Sequence, residues 1–471
     1  MLPIIPSQRL SLVASLPPEV AGAADVSREQ SRAIMKEVVS YGIPSMGGFM
    51  VASFNEMVSL FWLAKVGTAP VAAVTVLMTI YWTMMTFNII TGVGSNALIA
   101  RRFGEGAVEN SEIAIRAAFL MKLVMGTLIG LIAWILMPVF LPLMDVEPVV
   151  EQMAYDYGHI MFPAAGIVGC SYSVYSAFRC IGMPKMAWWM QLLGAGTNMI
   201  LDPLLIFGIG PFPELGIVGA AIGAVTSYSL VFLIGMYVLT TRHSPIKVRW
   251  FHKPWPSMEE FKMIWNIGWP VGINILSFSM AMTFSVRLVT HYGTDVVAIF
   301  GAAQKVLHFG VMSMVGFTLG TSALVAQFLG AKELVKSWIA GVHSIRMAGY
   351  VMLGYAVLVF IFADFIVSAF FGIDSNHMGA TLLRIMCISI PFAGIHIGAE
   401  TVFEGAGHNR PMMLLSLAHA WLLMVPFMYV FGITLDWGPV GMIWGATIAH
   451  SLGGIIAVWL FYKGSWLRVE V

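Results

Sequence analysis

Ser95-Asn96-Ala97-Leu98-Ile99-Ala100-Arg101-Arg102-Phe103-Gly104 returns 226 residues later as Thr321-Ser322-Ala323-Leu324-Val325-Ala326-Gln327-Phe328-Leu329-Gly330. The same step carries Gly42-Ile43-Pro44 onto Gly268-Trp269-Pro270 and Gly67-Thr68 onto Gly293-Thr294. Gly216, Gly219 and Gly223 recur as Gly438, Gly441 and Gly445, with the step shortened to 222. Solenoid repeats run to roughly 20–50 residues. A period of half the chain is a duplicated domain.

Composition places both copies in a bilayer. Hydrophobic residues make up 59% of the 471 and charged residues 10%, with a mean hydropathy of +0.85. A soluble chain carries about 25% charged residues, so this one lacks the charge to cover a surface in water. The net charge of +1 offers no concentrated basic face, and no nucleic-acid partner is expected. Cys170, Cys180 and Cys387 fit neither a disulfide framework nor a zinc spacing and read as small buried hydrophobes. No cofactor is expected.

A span needs roughly 20 apolar residues. Twelve are predicted, near 42–64, 69–93, 117–140, 153–178, 186–208, 216–240, 266–290, 295–321, 341–370, 379–402, 411–432 and 440–462. Residues 1–27 read as an N-terminal extension without the apolar run of a signal peptide. Ser27-Arg28-Glu29-Gln30 has the spacing of a capping box at the start of the first helix. The first lobe is expected over 28–240 and the second over 263–471, with the polar stretch 241–262 as a cytoplasmic linker.

Alternate connections hold the basic residues, among them Arg101, Arg102, Arg116, Arg179, Lys185 and Arg249. The opposite connections hold acids such as Asp145, Glu147, Glu214 and Asp436. Positive charge stays cytoplasmic, which sets both termini inside. Six spans per copy then make the copies parallel repeats, the plan of a transporter in the plasma (inner) membrane.

Asn198-Met199-Ile200-Leu201-Asp202-Pro203-Leu204-Leu205-Ile206-Phe207-Gly208, with Leu215-Gly216-Ile217-Val218-Gly219-Ala220-Ala221 after it, resembles the fifth and sixth spans of multidrug and toxic compound extrusion (MATE) transporters. Ala177-Phe178-Arg179-Cys180-Ile181-Gly182-Met183-Pro184 resembles that family's small-apolar-Arg-Gly-x-Gly signature, and Ala298-Ile299-Phe300-Gly301-Ala302-Ala303-Gln304-Lys305 resembles its eighth span. The resemblance runs from about residue 35 to 462. It implies an all-α, V-shaped carrier of two six-helix lobes that acts as a monomer. It further implies export of amphipathic, often cationic, organic compounds in exchange for H⁺ or Na⁺.

Ionisable groups inside the spans are few and read as functional. Asn198 and Asp202 share one helix face. Pro203 lacks the N–H that would bond the Met199 carbonyl. The cluster suits a proton on Asp202 or Na⁺ held by Asp202 and Asn198, and the resemblance places the pair in the ion-linked cavity of the first lobe. Many relatives carry an Asp in the first span where counting back from Gly67 gives Ser59. Glu56, one turn earlier, is expected to take over that Asp's role and face Asp202. The acids that another branch carries in spans seven and ten fall near Phe278 and Ala393, so that ion site is expected to be missing.

In the second lobe, Gln304, Lys305, His308, His396 and Glu400 are the candidates for lining a substrate cleft, with Lys305 and Glu400 a possible pair. Trp82, Tyr172 and Tyr175 are candidates in the first lobe. His419 and His450 are expected to be hydrogen-bonded core histidines. Met (34) and Trp (15) are abundant, which suits loosely selective binding as well as ordinary lipid-facing packing. The alternative function is a lipid-linked saccharide flippase of the same superfamily. An enzyme is not expected, since His-Glu-x-x-His, Gly-x-Ser-x-Gly and Cys-x-x-Cys do not occur.

Overall fold

The computed structural model describes Val20 and residues 26–242, 244–371 and 376–469, without the side chains at 79, 294–295 and 370–377. The N-terminal extension expected over 1–27 lies outside the described residues, apart from Val20, Val26 and Ser27.

The described chain is helical throughout. In order the helices are α1 (Arg28–Val66), α2 (Thr68–Gly104), α3 (Val108–Phe140), α4 (Pro148–Met161), α5 (Ala165–Cys180), α6 (Pro184–Ile206) and α7 (Gly216–Thr240). Then follow α8 (Met258–Val289), α9 (Thr294–Gly330), α10 (Leu334–Ile361), α11 (Ala363–Phe371), α12 (Asn376–Cys387) and α13 (Ile390–Ala406). The last two are α14 (Arg410–Thr434), which contains π-helical turns at His419–Met424 and Val430–Thr434, and α15 (Gly438–Tyr462).

Among the described residues, eight helices are long and apolar enough to span singly, and eleven spans result if each of three bent helix pairs is one. The α4–α5 pair bends by 57° and the α12–α13 pair by 40°. The twelfth expected pass is α6. Its 23 residues reach roughly 34 Å, enough to cross, but Gln191, Asn198 and Asp202 are buried along it.

Packing divides the chain into an N-unit, Gly47–Gly272, and a C-unit of Met1–Met46 with Ile273–Val471. The division falls inside α1 and α8, and the polar stretch 241–262 stays with the N-unit. In the N-unit a Cβ on Gly94 of α2 would sit 1.9 Å from the Ile264 carbonyl oxygen of α8, and one on Gly268 would sit 1.9 Å from that of Ile90. In the C-unit a Cβ on Gly320 of α9 would sit 2.3 Å from the Tyr41 carbonyl oxygen, and one on Gly42 would meet the Phe317 ring at 2.3 Å. The repeated glycines therefore do a repeated job. They let the first helix of each copy seat its opening half on the second helix of the other copy.

Both opening halves are capped alike. Gln30 N–H donates to Ser27 Oγ (3.2 Å) and Ser27 N–H to Gln30 Oε1 (3.1 Å), the capping box expected there. Ser257 N–H donates to Glu260 Oε2 (2.8 Å) before α8. The 241–262 stretch is tied to α3: Arg116 donates to the carbonyls of Arg249 (3.3 Å), His252 and Pro254 (2.8 Å). Glu112 accepts from Arg249 N–H (2.8 Å) and Nη2 (3.0 Å), which holds the Arg249 guanidinium above its ordinary value. All three cysteines are buried and form no disulfide.

Candidate functional site

Asn198 and Asp202 project from one face of α6 into the N-unit, where they are 6% and 1% exposed. Asn198 Nδ2 donates to Asp202 Oδ1 at 2.8 Å. Helix α1 meets this face with Asn55 and Ser59, also four residues apart. Asn55 Nδ2 donates to Asn198 Oδ1 at 2.9 Å. Ser59 Oγ lies 2.5 Å from Asp202 Oδ2 and 3.2 Å from Asn198 Oδ1. Asn55 Oδ1 is buried without a partner. On α7, a Cβ at Gly223 would stand 2.9 Å from Asp202 Oδ1, so glycine leaves room beside the carboxyl group.

Counting protons shows what this arrangement does. The Ser59 hydroxyl carries one proton but touches two acceptors. With Asp202 ionised, one of the two oxygen–oxygen contacts has no hydrogen between its atoms. A proton on Asp202 Oδ2 satisfies both, because Asp202 then donates to Ser59 and Ser59 to Asn198. The same oxygens, with Asn55 Oδ1, are also the hard donor type that alkali cations take.

Glu56 stands apart from the cluster. It is exposed and makes no hydrogen bond or ion pair among the described residues. The expectation that it faces Asp202 beside Ser59 is corrected by helix geometry. A step of four residues returns to within about 40° of the same face, and a step of three misses by about 60°; Asn55 therefore takes the place. Asn55 was missed, although an amide four residues before Ser59 is the signal that finds it. The charged and titratable groups that feel Glu56 are Tyr81, Tyr172 and Tyr228.

Tyr172 packs within the N-unit, its ring 5.9 Å from Tyr175 and 6.2 Å from Tyr228. Tyr175 is buried, so its expected place on a substrate cleft is corrected; Trp82 is 55% exposed.

In the C-unit, Gln304 Nε2 contacts Met282 Sδ at 3.3 Å, and Lys305 and His308 are exposed. The Lys305–Glu400 pair is not formed; Glu400 Oε1 accepts from Asn274 Nδ2 at 2.6 Å instead. His419 and His450 are each other's neighbours, with ring centroids 4.8 Å apart, and His396 stands 6.2 Å from His419. His419 Nε2 is buried without a partner, so the expectation of a hydrogen-bonded core histidine is corrected there. No group of three or more His, Cys, Asp or Glu is arranged to hold a metal ion among the described residues.

A family model, MatE, matches residues 44–204 and again 270–430, the same step of 226 that the sequence shows. The chain belongs to the MATE family. Two relatives of this MATE protein are the probable multidrug resistance protein YoeA of Bacillus subtilis and the FAD transporter of Shewanella oneidensis. YoeA is 22% identical over 454 residues, covering 95% of this chain and 97% of its own. The FAD transporter is 23% identical over 439 residues, covering 91% and 95%. The crystal structure of the Vibrio cholerae MATE transporter VcmN in its bent form has the same fold, with a TM-score of 0.85 at 20% identity over 93% of this chain and 98% of that one. The MATE protein is thus a multi-pass membrane transporter.

Proposed function

We propose that this MATE protein is a proton-coupled antiporter that exports amphipathic organic compounds, cations among them, from the cytoplasm. It works as a monomer in the plasma membrane with both termini cytoplasmic, its lobes being the two sequence repeats. One observation carries the choice of ion: the Ser59 hydroxyl touches Asp202 and Asn198 together, and a proton on Asp202 is what satisfies both contacts. The multidrug relative YoeA supports the substrate class, and the FAD transporter shows that the family's cargo is not confined to one chemistry.

In this reading a proton entering from outside neutralises Asp202. Neutralisation removes the desolvation cost of the carboxylate and lets α1, α6 and α7 repack, which releases the cargo. The site then opens inward, the proton leaves, and new cargo binds. Na⁺ is the competing ion at Asp202 and Asn198. Glu56, exposed on α1, is proposed as a second acid on the proton's route.

The test is transport of rhodamine 6G by purified protein in liposomes, with pH and Na⁺ gradients imposed separately. The expected result is movement against the pH gradient alone, reduced to the level of protein-free vesicles in Asp202→Asn. Transport driven by Na⁺ alone contradicts the proton assignment. Full transport by Asp202→Asn removes Asp202 from the coupling. Unchanged coupling in Glu56→Gln removes Glu56.

A further inference from the structure

Between α7 and α8 the linker concentrates positive charge. From Arg242 to Met258 it holds four cations, Arg242, Lys247, Arg249 and Lys253, and no acid. The chain-wide net charge of +1 hides this run. The first acids after it, Glu259 and Glu260, open α8. Over 244–249 the backbone alternates: Ser244, Ile246 and Val248 are buried, while Pro245, Lys247 and Arg249 are exposed. Val248 N–H donates to the Leu239 carbonyl of α7 at 2.9 Å. With the three carbonyl bonds from Arg116, this fixes the buried side of the linker against α3 and α7. Arg249 is paired with Glu112. Arg242, Lys247 and Lys253 are exposed and make no hydrogen bond or ion pair among the described residues.

The exposed surface of the linker also carries large apolar groups. Phe251 is 88% exposed, Met258 73% and Trp255 53%, and all three lie outside the expected spans. Apolar surface of this size is unfavourable in water, whereas aromatic rings settle well at the boundary between headgroups and acyl chains. The linker stands at that level: Trp250 packs edge-on against Phe119, with ring centroids 5.0 Å apart, at the start of the third expected span. An acidic protein surface matches the lysines alone. An anionic lipid surface matches both the lysines and the aromatic groups. We propose that this linker docks on anionic lipid headgroups, with Arg242, Lys247 and Lys253 on the phosphates and Phe251, Trp255 and Met258 in the boundary layer. In the orientation proposed above, these lipids are those of the cytoplasmic leaflet.

This surface goes beyond the coupling reading, and its test reads docking rather than transport. Cys170, Cys180 and Cys387 are buried, so a thiol-reactive NBD dye placed by Phe251→Cys reports on the linker, with dye-treated wild type as background. The labelled protein is held in phosphatidylcholine nanodiscs, and again with a quarter of the lipid replaced by phosphatidylglycerol. Each disc includes a phosphatidylcholine that carries a quenching doxyl group near its headgroup. Quenching by this lipid is expected to be stronger with phosphatidylglycerol than without it. Lys247→Gln combined with Lys253→Gln is expected to lower the ratio of docked to undocked linker at least about tenfold, read from the quenched fraction. The charge-conserving pair, Lys247→Arg with Lys253→Arg, is expected to retain docking. Trp255→Cys serves as the label site if Phe251→Cys does not accumulate. NBD emission that the doxyl lipid quenches in neither disc overturns the proposal and leaves the linker to a water-borne partner. Quenching that is equal in both discs and unmoved by the lysine substitutions also overturns it.

Discussion

Ser59 is the residue on which the coupling account turns. Replacing it with Ala leaves a buried Asp202 oxygen without its partner, a loss of roughly 1–3 kcal/mol. Ser59→Ala is therefore expected to shift the pH dependence of transport while leaving the folded protein intact. Ser59→Asp places a second carboxyl group beside Asp202, and one of the two must then hold a proton. A pH profile identical to wild type in both variants contradicts a role for Ser59. Asp202 and Asn198 were legible in the sequence, because an acid and an amide one turn apart in an apolar run have few other uses. Asn55 was not, because an amide attracts less notice than the acid next to it. Glu56 drew the role by its charge, and a rotation of one helical position took it away.

The repeated glycines argue for themselves at the level of the helix pair. A Cβ on Gly94 or Gly268 would stand 1.9 Å from a backbone oxygen, which a side-chain rotation cannot relieve. Gly94→Val and Gly268→Val are expected to cost about 3 kcal/mol or more by overpacking and to abolish the monodisperse peak in size-exclusion chromatography. A folded, active Gly94→Val protein contradicts the close approach.

The cap of α8 gives a gentler case. Burial of Glu260 opposes its ionisation, but hydrogen bonds from Ser257 outweigh this and hold its carboxyl below the ordinary value. A depressed carboxyl pKa stabilises the fold above the unfolded value, and the gain is lost as pH falls through the folded one. Glu260→Ala is expected to lower stability by about 1 kcal/mol at neutral pH. The difference from wild type should shrink in acid, read as the gap between their melting temperatures. Span positions were legible from hydropathy alone. The bends between α4 and α5 and between α12 and α13 fall beside Pro163 and Pro391, and the π-helical turns at His419–Met424 and Val430–Thr434 flank Pro426, so the proline's missing N–H marks them in the sequence as well.

Across the whole chain, the family match at 44–204 and 270–430 repeats the 226-residue step, so the duplication was readable before any coordinates. The buried acid and its amide partner do not follow it. The 224-residue step between Phe207-Gly208 and Phe431-Gly432 carries Asn198 and Asp202 onto Leu422 and Pro426, and Leu422 is 69% exposed. The C-unit has polar groups of another kind, the His396–His419–His450 contacts and the Glu400–Asn274 bond. Contacts between residues of different helices are invisible to a repeat, which explains why the neighbouring His419 and His450 rings went unread.

The central claim is that a proton on Asp202 is exchanged for cargo. It is met most directly by adding rhodamine 6G to weakly buffered, detergent-solubilised protein and following released protons with a pH dye. Wild type is expected to release protons in proportion to bound rhodamine 6G, and Asp202→Asn to bind without release. Binding without proton release by the wild type, across the pH range in which it transports, contradicts the account.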